Sequence, residues 1–143
     1  MIKRLLIFWI WAGLLNSSAI ADTQVIVHPS VVNSSVNSHT LSRIYAMQLK
    51  NWNDGQSIKV FVLPSKNQTH RQFTLRKLKL QSHQLDRLWN RLIFTGTGRT
   101  PIVVKSELEM IEKVKTTPGG IGYVSGGVDV SGLKVLHEVQ SNE

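Results

Sequence analysis

Short apolar runs rich in β-branched residues alternate along the chain with segments whose apolar residues recur at helical spacing, and this alternation constrains the fold most strongly. The strand-like runs are residues 24–28, 58–63, 101–104, 121–124 and 133–136. The helix-like segments lie between them, around residues 41–49, 73–78, 85–92 and 106–114. Strands that alternate with helices form layered domains in which helices cover a mostly parallel or mixed sheet. We therefore predict a three-layer α/β fold.

Four details of the helices follow from the same pattern. Ser38 or Thr40 is predicted to cap the first helix, because a side-chain oxygen there can accept a free backbone N–H group. Leu85, Leu88, Trp89 and Leu92 are predicted to form an apolar stripe on the third helix. Ser106 and Glu109 have the spacing of a capping box. The helix that they open is predicted to bury Leu108, Ile111 and Val114.

The first 21 residues have the pattern of an export signal. Lys3 and Arg4 precede an apolar run from Leu5 to Leu15, and Ala19-Ile-Ala21 supplies a small-x-small cleavage site. The apolar run is about half as long as a bilayer span needs, so a retained anchor is the less favoured alternative. We expect cleavage after Ala21, a periplasmic or secreted location, and a single domain over residues 22–143.

Positive charge is concentrated in the middle of the chain. Without Lys3 and Arg4, the 17 basic side chains become 15, against 9 acidic ones, which leaves a formal charge of +6. Residues 66–99 contain eight basic side chains and a single acidic one, Asp86. Such a field favours small oxyanions, lipid phosphates or nucleic acid as partners. A solvated helical face would explain the same charges.

The sequence lacks the patterns of catalytic and metal-binding residues. It has no cysteine, its five histidines have no metal-like spacing, and it contains no HExxH, GxSxG or GxxxxGK[ST] motif. We therefore predict a non-enzymatic protein without a metal or a cofactor. Nucleic acid is disfavoured as a partner by the export signal and by the absence of a known binding motif.

The segment from Pro64 to Arg71, PSKNQTHR, lies between a predicted strand and a predicted helix. A helix N-terminus offers unpaired N–H groups, and its dipole favours an anion. Hydroxyl and amide side chains would add donors, and a guanidinium grips two oxygens at once. The alternative, which the local pattern by itself favours, is that Ser65 or Asn67 caps its own helix. The candidate oxyanion-binding residues are Ser65, Asn67, Gln68, Thr69 and Arg71.

Residues 117–124, TPGGIGYV, place three glycines around one isoleucine. Glycine is expected where φ is positive or where another group approaches the main chain closely. The simplest interpretation is the end of a helix followed by a turn into a strand.

Three pieces of the chain, in this order and spacing, resemble the phosphate-binding proteins of phosphate ABC transporters. They are WNDG at 52–55, FTG at 94–96 and TPGGIGYV at 117–124, and the similarity spans about residues 24–126. The chain looks closest to the small single-domain members. The resemblance implies one lobe of the type II periplasmic binding protein (PBP) fold, whose two α/β lobes close on a ligand. It also implies that the glycines permit a sharp reversal and close packing beside the ligand cleft.

The loop after the strand 58–63 departs from the Arg-Ser-Asp-Gly-Ser-Gly-Thr-like loop of that family. Thr69 matches the family's threonine, whereas Leu63 replaces the arginine, and Asn67 with Gln68 replaces Ser-Gly. Arg71 would restore the cation. One lobe offers only an open half-site, so we expect weak binding of phosphate or a related oxyanion unless a homodimer or a partner protein closes the cleft.

The resemblance thus implies an exported, phosphate-binding-protein-like accessory to transport or sensing. The alternative hypothesis is that the protein has the same fold but binds no small ligand. In it, the basic face from Arg76 to Arg91 contacts a membrane protein, an anionic envelope polymer or another periplasmic protein.

Overall fold

The computed structural model describes residues 22–96 and 98–140, so the predicted leader and its cleavage site lie outside the described residues. None of the helices in the described part combines the length and the apolar character that a bilayer span requires. In chain order, the elements are β1 (Thr23–Val27), β2 (Ser35–Val36), α1 (Ser38–Tyr45), β3 (Lys59–Val62), α2 (Gln68–Phe73), a π-helical segment (Thr74–Leu78), α3 (Ser82–Thr95), β4 (Ile102–Val103), α4 (Glu107–Thr116), β5 (Gly120–Ser125), β6 (Lys134–Val135) and β7 (His137–Glu138).

A mixed five-stranded sheet has the strand order β4-β3-β5-β1-β6. Strand β3 is parallel to both β4 and β5, whereas β1 is antiparallel to both β5 and β6. The predicted α/β fold with a mixed sheet is therefore confirmed. Strands β2 and β7 form a separate parallel pair, with two residues in each strand. Both were missed, because the residues in and around them are mostly polar and show no apolar pattern.

Strand β5 shows how the layers are arranged. A side chain on Gly122 would collide with Met110 and Val114 of α4. The next residue, Tyr123, points to the opposite face, because successive residues of a strand alternate. Its ring stacks on Phe73 of α2 with 3.9 Å between the centroids and lies 5.9 Å from the ring of Tyr45 of α1. Helix α4 thus covers one face of the sheet, and α1 and α2 cover the other.

The glycine-rich segment turns the chain from α4 into β5. Gly119 has a φ of 76°, in the left-handed region that favours glycine. A side chain on Gly119 would collide with the carbonyl oxygen of Ser57. The carbonyl oxygen of Gly119 accepts a hydrogen bond from Nε1 of Trp52 at 3.0 Å. The glycines therefore serve a reversal and close packing, and the WNDG and TPGGIGYV segments contact each other.

The predicted caps are partly correct. Ser106 caps α4, and its Oγ accepts the N–H of Glu109 at 3.1 Å, as expected. Helix α1 is capped by Asn37 instead of Ser38 or Thr40, since the Asn37 side chain accepts the N–H of Thr40 at 2.7 Å.

The predicted buried face of α4 was wrong at one position. Leu108 is 78% exposed, whereas Met110 and Val114 are buried. Gly122 leaves the space that the Met110 side chain occupies, so the long-range contact with β5 sets the rotation of this helix. On α3, Leu85 and Trp89 are buried as predicted, and Leu92 is partly buried against the core.

Candidate functional site

The segment that follows β3 leads directly into α2, and α3 lies beside it. The Ser65 hydroxyl donates to Oδ1 of Asp86 on α3 at 2.7 Å, and the hydroxyls of Thr74 and Ser82 lie 3.2 Å apart. These contacts join the segments before and after α2 to the first turns of α3 beside an open groove, which we call the α2–α3 groove. Its volume is about 530 Å³, and it is lined by Ser65, Lys66, Arg71, Leu75, Gln81, Ser82, His83 and Asp86.

Two of the five candidate residues, Ser65 and Arg71, line this groove. The other three form the cap and the first turn of α2 and do not line it. Asn67 caps its own helix, because its Oδ1 accepts the N–H of His70 at 3.2 Å. The alternative prediction, that Asn67 caps its own helix, is therefore correct for the side-chain oxygen. The amide nitrogen of Asn67 makes no hydrogen bond to a described residue.

Sequence reasoning missed the contribution of α3 to the groove. Gln81, Ser82, His83 and Asp86 come from the following helix, and no local pattern connects them to the segment before α2. The available clue was Asp86, the single acidic residue in the basic segment 66–99. A lone carboxylate in such a segment points to a specific hydrogen-bond or ionic partner. Its partner is the Ser65 hydroxyl.

The groove has an excess of positive charge. Lys66 and Arg71 face a single carboxylate, that of Asp86. Both cations are on exposed residues, and neither side chain forms an ion pair or a hydrogen bond within the described part of the chain. An anion could therefore approach them without breaking an existing bond.

A buried polar group lies behind the groove and anchors its first segment. The hydroxyl oxygen of Tyr123 accepts the backbone N–H of Leu63 at 2.9 Å, and the Leu63 side chain is buried in the core. The same hydroxyl is hydrogen-bonded to Nδ1 of His70. Burial lowers the pKa of His70, while the Asp86 carboxylate acts in the opposite direction. His70 is thus neutral near pH 7, and the Tyr123 hydroxyl can donate its own hydrogen to Nδ1.

Part of the predicted basic face is neutralised within the fold. Lys77 Nζ lies 3.1 Å from a carboxylate oxygen of Asp22 and 3.3 Å from one of Glu138. Burial acts to lower the pKa of Lys77, but hydrogen bonds to these two carboxylates outweigh it and raise the pKa. Lys77 therefore joins the π-helical segment to both ends of the described chain.

The described residues hold no group of three or more His, Cys, Asp or Glu side chains that could bind a metal ion. The site consists instead of hydrogen-bond donors and cations in an open groove, and this arrangement suits the binding of a small anion.

Solved structures with the same fold include an ABC-type phosphate transport receptor from Vibrio cholerae. It has a TM-score of 0.63 and 19% identity, and the alignment covers 81% of this chain and 45% of that one. PstS from Borrelia burgdorferi has a TM-score of 0.64 and 22% identity, with 86% and 49% covered. At these identities the similarity shows a shared fold. The chain spans about half the length of the structures that it matches.

A comparison with curated proteins finds no significant match. A family model described as PBP superfamily domain matches residues 12–136, which is most of the chain. The matched segment contains the whole five-stranded sheet, both sides of the α2–α3 groove and the glycine-rich turn. The chain therefore belongs to the PBP superfamily domain family.

Proposed function

We propose that this protein is exported and binds phosphate or a related oxyanion in the α2–α3 groove, as an accessory to transport or sensing. The observation that supports this most directly is the pairing of Lys66 and Arg71 in one groove at the carboxyl end of β3. In open α/β sheets, ligands bind outside the carboxyl ends of the strands. The fold shared with a phosphate transport receptor supports the ligand class.

Arg71 is the proposed main anion-binding side chain. A guanidinium can donate two parallel hydrogen bonds to one oxyanion, and such charge-assisted bonds are about twice as strong as neutral ones. Lys66 would add a compact positive charge at the rim. Gln68, Thr69 and the amide group of Asn67 do not line the groove, and we propose that their side chains turn toward the bound anion to complete the donor set.

Asp86 can make the groove selective between anions. An ionised carboxylate accepts hydrogen bonds and donates none. A phosphate ion that keeps a proton can donate that proton's hydrogen bond to Asp86, whereas fully ionised sulfate meets only repulsion. Ser65, which now donates to Asp86 at 2.7 Å, would turn its hydroxyl toward the bound anion. We therefore propose that the groove prefers phosphate over sulfate.

The affinity is expected to be low for the isolated chain. Desolvating an anion is favourable only when donors surround it, because a buried charge without enough partners is costly. The groove supplies donors from two helix starts and is otherwise open to solvent. A homodimer or a partner protein that covered the groove would supply the remaining donors and raise the affinity.

Calorimetric titration of the exported, processed protein with phosphate and with sulfate tests the proposal. We expect saturable binding of phosphate that Arg71→Ala weakens at least about tenfold, because a charge-assisted pair is lost. Arg76→Ala is the matched control, since Arg76 is exposed on the next turns and does not line the groove. Asp86→Asn should strengthen sulfate binding and reduce the preference for phosphate.

Two results would contradict the proposal. The first is no heat of binding at millimolar phosphate, which would mean that the fold is kept without the ligand. The second is an equal loss of affinity in Arg71→Ala and Arg76→Ala, which would show that general positive charge, and not this groove, attracts the anion.

A further inference from the structure

Residues 87–106 combine two surface properties, positive charge and exposed apolar side chains. The segment contains four basic side chains and no acidic one: Arg87, Arg91, Arg99 and Lys105. It also contains four of the eight large hydrophobic side chains that are exposed among the described residues: Ile93, Phe94, Ile102 and Val103. Neither property is needed for the fold, because an exposed side chain adds little to core packing.

The apolar residues lie at the C-terminal end of α3 and on the edge strand β4, whose two residues, Ile102 and Val103, point to opposite faces. Ile93 is 60% exposed and Phe94 is 90% exposed, just before Gly96 ends the helix. Ile93 and Val103 line the same shallow groove, and Ile102 lines a neighbouring one together with Arg99. Arg91 lies three residues before Phe94, so the two are neighbours on the helix surface. We call Arg91, Ile93, Phe94 and Val103 the α3–β4 patch.

We propose that the α3–β4 patch binds the surface of an anionic lipid bilayer. Interfacial segments of this kind insert aromatic and aliphatic side chains at the boundary between headgroups and acyl chains, while Lys and Arg side chains contact the lipid phosphates. Each basic residue near an anionic surface contributes attraction that acts within about a Debye length. The all-positive charge of the segment matches that surface.

Other occupants fit the patch less well. A second copy of the chain that met this patch with its own would bring Arg91 against a like charge. A stable protein interface needs roughly 1,200 Å² of packed, shape-matched surface. Phe94 instead projects singly from the end of a helix with its ring almost uncovered. A fluid lipid interface accepts such a side chain without a preformed pocket.

The patch adjoins the proposed oxyanion site. The shallow groove that Ile93 and Val103 line is also lined by Ser65 and Asp86, which line the α2–α3 groove. Phe94 lies eight residues beyond Asp86 on α3, which is about 12 Å along the helix axis. Arg91 and Phe94 line neither groove, so substituting them tests the patch without removing a residue of the oxyanion site.

Vesicle sedimentation tests the proposal with the processed protein recovered after export. The vesicles are phosphatidylcholine with about 30% phosphatidylglycerol, and pure phosphatidylcholine serves as the comparison. We expect partitioning only onto the anionic vesicles, and a loss of binding at high salt because screening shortens the reach of the charges. Phe94→Ser should lower the partition coefficient about tenfold. Arg91→Ala should lower it about fivefold.

Leu108→Ser is the matched control, because Leu108 is also a large exposed apolar residue but lies on α4, outside the patch. It should leave the partition coefficient unchanged. All variants are prepared with the same N-terminus, so that only the substitution differs between them. Protein that stays in the supernatant with anionic vesicles would overturn the proposal. Equal losses in Phe94→Ser and Leu108→Ser would overturn it as well. Sedimentation velocity that shows a dimer dissociated by Phe94→Ser would reassign the patch to a second copy.

Discussion

Removing the hydroxyl of Tyr123 should strongly destabilise the fold, whereas removing the hydroxyl of Tyr45 should not. Both tyrosines are fully buried, and their rings lie 5.9 Å apart in the same core. The Tyr123 hydroxyl accepts from the N–H of Leu63 and bonds to Nδ1 of His70. The Tyr45 hydroxyl is buried without a hydrogen-bond partner among the described residues.

The size of the difference follows from the number of polar groups left unpaired. Tyr123→Phe leaves two buried groups without a partner, and each costs about 1 to 3 kcal/mol. The expected loss is therefore about 2 to 6 kcal/mol, a large fraction of the roughly 5 to 15 kcal/mol by which a domain is stable. Tyr45→Phe removes a buried, unpaired hydroxyl and keeps the ring contact with Phe73 at 4.9 Å, so it should be neutral or stabilising.

Urea denaturation of both variants, followed by circular dichroism, measures these free energies of unfolding. The dependence of the free energy on urea should match wild type, because the surface exposed on unfolding is unchanged. The reasoning is refuted if Tyr123→Phe loses less than about 0.5 kcal/mol, the range of an ordinary surface substitution. It is equally refuted if the two variants are destabilised by the same amount.

Two further predictions concern the glycine turn and the buried histidine. Gly119→Ala should lower the free energy of unfolding by more than about 2 kcal/mol, because φ is positive there and the new side chain would collide with the Ser57 carbonyl. Gly127 has open space around it, so Gly127→Ala should change this free energy by less than about 0.5 kcal/mol. The same urea assay measures both. The folded-state pKa of His70 lies below its ordinary value of 6.5, so the unfolded chain binds the proton more readily. Stability should therefore be fully present above pH 6.5 and decrease as the pH falls toward the folded-state value. His70→Gln should flatten this part of the profile of unfolding free energy against pH, and an unchanged slope would show that other groups cause it.

The sequence predicted those parts of the site that depend on neighbouring residues in the chain. Ser65 and Arg71 were expected to flank a helix start, and both line the groove there. The contribution of Asp86 could not be predicted, because it depends on how α3 packs beside α2. Asp86 is 21 residues away from the serine that it contacts.

The sequence by itself determined the fold class, the cap at Ser106 and the reversal at Gly119. Each of these is marked by a linear pattern: the alternation of strand-like and helix-like segments, a capping serine, or a cluster of glycines. Only the tertiary structure decided that Leu108 faces solvent and that Leu63 is held in the core by Tyr123. The tertiary structure also placed the exposed apolar residues at the end of α3 beside the edge strand β4. These outcomes depend on which surfaces meet across the sheet, and the free energy of burial favours one packing of the whole chain, which no single segment specifies.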